Sequence, residues 1–256
     1  MDQTPPPAPR NRSIYLLPNL FTTAALFSGF FAIIAASQGR FEAACIAIFV
    51  AAVLDGVDGR VARMTNTQSE FGVQYDSLSD LISFGMAPAL VMYHWALVGM
   101  KLDGPTLGKI GWLAAFIYAT AAALRLARFN TMIGTADKRF FQGLPSPSAA
   151  AIVAAGIWIG ADQGISGADV NWLAAFLTTL AGLLMVSNFR YRSFKDLDLR
   201  NRVPFVAAVI IMLGFALVYL HPPVILFLGF LTYALSGPLL ALIRLQQKRA
   251  RRREQP

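Results

Sequence analysis

Apolar runs of bilayer-spanning length recur along this chain, broken by short polar turns and by clusters of arginine and lysine. At about 20 residues per crossing, with allowance for tilt, the runs fall at roughly 14–36, 41–63, 77–99, 109–128, 147–163, 171–188, 203–220 and 223–243. They do not alternate apolar with polar residues as barrel strands do. Backbone amides in lipid must be satisfied internally, so the runs predict helices. The expected fold class is all-α: a polytopic helical membrane protein of about eight transmembrane helices. The fifth and sixth runs are the shortest, parted by the polar turn DQGISGADVN. Seven crossings, or a re-entrant pair there, are the alternatives. No repeat or second soluble domain interrupts the pattern. It divides the chain into a leader at 1–13, a membrane domain at 14–243 and a basic tail at 244–256.

Charge orients these runs. With a cytoplasmic N-terminus, all of the 22 basic residues except Arg40, Lys101 and Lys109 fall on the inner side, as the positive-inside rule requires. That split predicts an even number of spans with both termini cytoplasmic. The leader MDQTPPPAPRNR is Pro-rich and lacks an apolar region followed by a cleavage site, so it is expected to be a disordered cytoplasmic segment rather than a signal peptide. The tail RLQQKRARRREQP reads as a stop-transfer flank that snorkels to phosphates, with recruitment of anionic lipid as the alternative.

Composition agrees. The chain is 56% hydrophobic and only 14% charged, which suits the bilayer as solvent better than water. A net charge of +8 could indicate nucleic acid, but the basic residues flank apolar runs and no nucleic-acid-reading module is visible; an anionic membrane surface is the better match. Cys45 is the single cysteine, which excludes an internal disulfide and a cysteine-rich metal site. His94 and His221 are too far apart in sequence to suggest a zinc site.

The second run does what a lipid-facing helix should not. Asp55 and Asp58 lie near its inner end, and Asp76 and Asp80 open the third run after a short polar connection, NTQSEFG. Spacings of three and four put each pair on one helical face, and a short loop brings the two faces together at one depth. Four converging carboxylates in a medium of low dielectric must be protonated or neutralised by cations. Oxygen ligands without nearby His or Cys favour a hard ion, Mg²⁺ or Mn²⁺, and four charges suit two such ions clamping a pyrophosphate. Gly56, Gly59, Ala62 and Gly72 remove bulk around the acids, so a nucleotide diphosphate could approach the backbone. Close helix packing is the alternative use of such glycines. Arg63 can neutralise phosphate oxygens.

The residues Asp55, Asp58, Gly59, Ala62 and Arg63, followed after eight positions by Gly72, Asp76 and Asp80, resemble the CDP-alcohol phosphotransferase signature D-x-x-D-G-x-x-A-R-x(8)-G-x-x-x-D-x-x-x-D at all its fixed positions. The resemblance implies a helical membrane enzyme, typically a homodimer, with a bimetal site at the cytoplasmic face, expected here in a bacterial inner membrane. It implies transfer of a phosphatidyl group from a CDP-linked lipid to an alcohol, with release of CMP. By position Asp55, Asp58 and Asp76 would be metal ligands. Asp80 would be the general base and would touch metal too, and Gly59, Ala62, Arg63 and Gly72 would line the CDP site. Asn19 and Thr22, on one face of the first run, are further candidates for the nucleotide side, with helix packing as the alternative.

Three other segments, DSLSDLISFGMAPA, RLARFNT and FQGLPSPSAAA, are similar to the phosphatidylserine synthase branch of that family, which makes L-serine the expected acceptor. The H-x-K motif of the unrelated phospholipase D-like synthases is absent, since His94 precedes Trp95-Ala96 and His221 precedes Pro222-Pro223. Arg125, Arg128 and Asn130, with Arg139 in the following loop, are the candidates to meet a serine carboxylate or a substrate phosphate; anchoring at the inner interface is their other use. GLPSPS reads as a break and a new helix start, with Pro147 in its first turn. The same chemistry with glycerol-3-phosphate, an inositol phosphate or choline is the nearest rival. A cation transporter using the intramembrane aspartates is the rival from another class.

Overall fold

The computed structural model describes residues 16–65, 67, 69–132, 140–192 and 205–253. Every apolar run coincides with a helix: α1 (Leu16–Ser37), α2 (Phe41–Met64), a continuous helical unit at 70–95, α5 (Pro105–Thr131), α6 (Ser146–Asp162), α7 (Asn171–Val186), α8 (Phe205–Leu220) and α9 (Pro222–Arg253). The unit at 70–95 consists of α3 (Glu70–Asp80), a π-helical segment (Leu81–Met86) and α4 (Ala87–Trp95). The ends shift most in two places. The third run begins seven residues early, because Ser69 caps α3 by accepting the Gly72 N–H at 3.0 Å. α9 carries the basic tail on as helix to Arg253, so its 32 residues reach about 48 Å.

Among the described residues, four helices are long and apolar enough to cross a membrane: Leu17–Ser37, Pro105–Thr131, Gly167–Val186 and Pro222–Gln247. α6 and α8 are shorter, at 17 and 16 residues, and α2 carries the acidic pair. Among the described residues there is one small departure from all-α. The connections after α5 and α7 pair as an antiparallel ribbon, β1 (Phe140–Gln142) with β2 (Arg190–Arg192), in the register that pairs Phe141 with Tyr191.

The packing is that of a protein dissolved in lipid. The interior is built from small residues, among them Ala32, Ala35, Ala44, Ala51, Ala122, Ala150 and Ala154, while Leu20, Phe27, Val53, Trp112, Phe176 and Leu239 are exposed. Small residues let helix backbones approach where no hydrophobic force between helices exists. α1 is the spine on the motif side. Its carbonyls at Thr22 and Ala25 accept from Ser79 (3.2 Å) and Ser83 (3.1 Å), and Ser28 donates to the Ala47 carbonyl at 2.8 Å. A side chain on Gly29 would come within 2.6 Å of Ser83 Oγ, so α1 and the π segment touch nearly backbone to backbone.

Tyr118 of α5 donates to the Phe84 carbonyl of the π segment at 3.1 Å. A proline inside a helix leaves a carbonyl without its usual amide partner, and in α9 a tyrosine answers it. Pro238 cannot donate to the Ala234 carbonyl, which accepts from Tyr191 at 3.0 Å.

Candidate active site

α1, α2 and α3 meet at the end of the bundle where α2 stops and α3 starts. The α2 helix keeps its register through Gly56 and Gly59 to Met64, so Asp55 and Asp58 are one turn apart on a rigid element. Ser69 fixes the start of α3, and Ser79 and Ser83 pin it to α1. Asp76 and Asp80 are thereby held facing α2.

Three of the four aspartates converge. One oxygen from each of Asp55, Asp76 and Asp80 lies within 4.8 Å of the others, with all three half-buried. The Asp55 and Asp80 carboxyls are in hydrogen-bond contact. A set of three carboxylates with no nitrogen or sulfur donor fits a hard divalent ion such as Mg²⁺ or Mn²⁺. Asp58 is not in this group. It is buried, and its Oδ2 accepts from Thr22 Oγ1 at 2.7 Å. Thr22 is thus the partner of a motif aspartate, while Asn19, one turn earlier on α1, places its Oδ1 3.7 Å from where a Gly72 side chain would begin.

The glycines separate into two kinds. A Cβ at Gly56 or at Gly59 would meet nothing within 4 Å. These two positions are not closing a helix–helix contact; they face open space beside the acids. Gly72 is tighter, with Ser69 Oγ 3.2 Å from its would-be Cβ. Ala62 is half-buried and Arg63 exposed, in the last turns of α2.

The acceptor candidates divide as well. Arg125 points inward: its Nη1 donates to Ser146 Oγ at 2.8 Å, and Asp80, Tyr233, Arg128 and Tyr118 lie within electrostatic range of it. Arg128 spends its donors on the end of α7, reaching the Val186 and Ser187 carbonyls and Asn188 Oδ1 at 3.2–3.3 Å. Asn130 Nδ2 donates to Ser77 Oγ at 3.0 Å, tying α5 to α3 between Asp76 and Asp80. Arg139 lies outside the described residues. The GLPSPS segment takes its structural role: Gly143, at φ +77°, lies where a side chain would overlap the Met185 carbonyl, and Pro147 sits in the first turn of α6.

Sequence reasoning passed over Ser77, Ser79, Ser83 and Tyr233. Nothing in an isolated serine or tyrosine distinguishes a site partner from a helix contact; the spacing of Ser79 and Ser83, one turn apart, was the only available signal.

Residues 15–186 match the family model described as CDP-alcohol phosphatidyltransferase. Among characterised proteins, the chain is 36% identical over 209 residues to a CDP-diacylglycerol–serine O-phosphatidyltransferase of Helicobacter pylori, covering 82% of this chain and 84% of that protein. It is 30% identical over 238 residues to one from Mycobacterium leprae, covering 90% and 77%. An archaetidylserine synthase of Methanothermobacter thermautotrophicus is 34% identical over 181 residues, covering 70% of each. The spaced aspartates, the glycines open beside them and the match across the first seven helices lead to one conclusion: this chain belongs to the CDP-alcohol phosphatidyltransferase family.

Proposed function

We propose that this integral membrane protein transfers the phosphatidyl group of CDP-diacylglycerol to the hydroxyl of L-serine, yielding phosphatidylserine and CMP. The observation that carries the reading is the three-carboxylate cluster of Asp55, Asp76 and Asp80 beside the open backbone of Gly56 and Gly59. The choice of serine draws on the relatives, which share that acceptor in their names.

Asp55, Asp76 and Asp80 would hold divalent metal, with Asp58 as the fourth ligand of a two-ion site. When bound, metal of this kind neutralises pyrophosphate oxygens and the charge that develops on the leaving group. The chain's own residues supply the rest. Gly59, Ala62, Arg63 and Gly72, with Asn19, line the CDP side, where the missing side chains admit the diphosphate and Arg63 offers charge-assisted hydrogen bonds. Thr22 holds Asp58 in place from α1. Asp80 accepts the serine hydroxyl proton as the oxygen attacks the lipid-side phosphorus; the bond from that phosphorus to the CMP oxygen breaks. Arg125 meets the serine carboxylate. Arg128 and Asn130 hold the same end of α5 against α7 and α3.

We place the site at the cytoplasmic face of a bacterial inner membrane, in a chain of eight crossings with both termini inside, working as a homodimer. The distribution of basic residues supports that orientation.

The test is CMP release by the purified full chain with CDP-diacylglycerol and Mg²⁺ or Mn²⁺, comparing serine, glycerol-3-phosphate, inositol phosphate, choline and no acceptor. Metal-dependent release stimulated by serine alone is expected. Release stimulated by another alcohol would keep the chemistry and replace the acceptor; no release with any would remove the enzyme reading.

A further inference from the structure

The helical unit at 70–95 packs on α2 over only part of its length. α4 and the π segment (Leu81–Met86) lie against α2, whereas α3 stands off from it. Across the gap so opened, Asp55 meets Asp76 and Asp80. The parting comes at the π segment, which follows Asp80 directly. Sharp bends in helices gather at such turns, and the turns are rare, so neighbours must hold this one in place.

They do so from two sides. On α1, Gly29 admits Ser83, which donates to the Ala25 carbonyl at 3.1 Å. On α5, Ala122 Cβ lies 3.1 Å from where a Gly85 side chain would begin, and Tyr118 donates to the Phe84 carbonyl at 3.1 Å. Tyr118 is fully buried, and α7 braces it from behind: a side chain on Gly182 would begin 3.1 Å from Tyr118 Cα. Its hydroxyl is therefore a fixed donor, aimed at a backbone oxygen four residues beyond Asp80.

We propose that Tyr118 is a positioning residue for Asp76 and Asp80: it holds the π segment that turns both carboxyl groups toward Asp55. Without the hydroxyl a buried carbonyl loses a donor, and the segment is freer to relax toward α geometry. One residue of helical register is about 100° of rotation. Even a partial relaxation therefore moves two carboxyl groups off the point they share with Asp55. The inference rests on the reading of the three aspartates as metal ligands.

Mn²⁺ binding by the purified full chain, without substrate, tests this. It is followed by the electron paramagnetic resonance signal of free Mn²⁺, with thermal midpoints measured alongside. Tyr118→Phe keeps the ring in its buried site and deletes only the hydroxyl. It is expected to weaken Mn²⁺ binding by about threefold to tenfold, at or below the low end for loss of a group that orients a ligand from outside. Tyr191→Phe is the matched control. Tyr191 is also fully buried and its hydroxyl also donates to a helix carbonyl, at 3.0 Å, but that carbonyl belongs to Ala234 of α9. The control is expected to lower the midpoint and to leave Mn²⁺ binding at the wild-type level. Equal weakening in both tyrosine variants would be general loosening and would overturn the proposal. Wild-type Mn²⁺ binding by Tyr118→Phe, where Asp76→Asn binds more weakly, would overturn the proposal alone. If Asp76→Asn itself leaves Mn²⁺ binding unchanged, the metal reading falls and the proposal falls with it.

Discussion

Four aspartates that look equivalent in the motif are unequal in the folded chain. Asp55, Asp76 and Asp80 face one another, while Asp58 is turned to Thr22. Each environment carries its own expected outcome. Asp80→Asn should reduce serine-dependent CMP release by about 10²- to 10⁴-fold, the range for loss of a general base, with CDP-diacylglycerol binding still measurable by equilibrium dialysis. Turnover near wild type would remove Asp80 as the base. Thr22→Val leaves the buried Asp58 carboxylate short of a donor and should cost about 1–3 kcal/mol, read as a lower thermal midpoint in detergent; an unchanged midpoint would show that this hydrogen bond is dispensable. The two arginines of α5 are likewise unequal. Arg125 reaches into the interior to Ser146, whereas the donors of Arg128 are taken up by the end of α7.

At the scale of helices, the glycines make a sharper test than the acids. Gly29 lies against the Ser83 backbone, with its would-be Cβ 2.7 Å from Ser83 Cα. Gly29→Ala must therefore push α1 off the π segment, a small-to-large change that typically costs about 1–3 kcal/mol. Gly59→Ala meets nothing within 4 Å and removes a glycine from a helix interior, a change worth up to about 1 kcal/mol of added stability. If Gly59 lines the CDP site, that variant should hold or raise its thermal midpoint and yet show a higher KM for CDP-diacylglycerol. A Gly59→Ala protein that is stable and kinetically normal would show that the open space is not used. The π segment has its own logic. It directly follows Asp80, holds Ser83 and Gly85 in the interior, and ends where Pro88 begins to withhold amides. A wider turn there changes which face of the helix meets α1 and α5, so the acids and the packing residues of one helix answer to different neighbours.

For the whole molecule, the proposed orientation can be measured with cysteines, because the native Cys45 is fully buried. In intact cells, a cysteine at Asp103, in the turn before α5, should react with a membrane-impermeant maleimide. One at Asn188, after α7, should react only once the cells are opened. Equal labelling of both from outside would overturn the placement of the site at the cytoplasmic face.

Much of this architecture was legible in the chain itself. Each apolar run marks a helix because lipid leaves the backbone no alternative. The motif aspartates were legible because charge in such runs is costly and their spacing of three and four sets a helical face. Local chemistry also announced the start of α6 at Pro147. The start of α3 lies ahead of the apolar run that marks it, since a capping serine and an acidic first turn carry no apolar pattern, and only Ser69 accepting from Gly72 reveals it. The ribbon of β1 with β2 escaped notice because it joins segments about 50 residues apart that have no pattern of their own. What only the tertiary structure decided is partnership: that Thr22 serves Asp58, that Arg125 reaches Ser146 while Arg128 braces α7, and that Gly59 is open while Gly29 is closed. A helix's own sequence specifies which residues share a face. Which neighbour that face meets depends on the other helices, on their small residues and on the depth at which they cross, and those relations exist only in the assembled bundle.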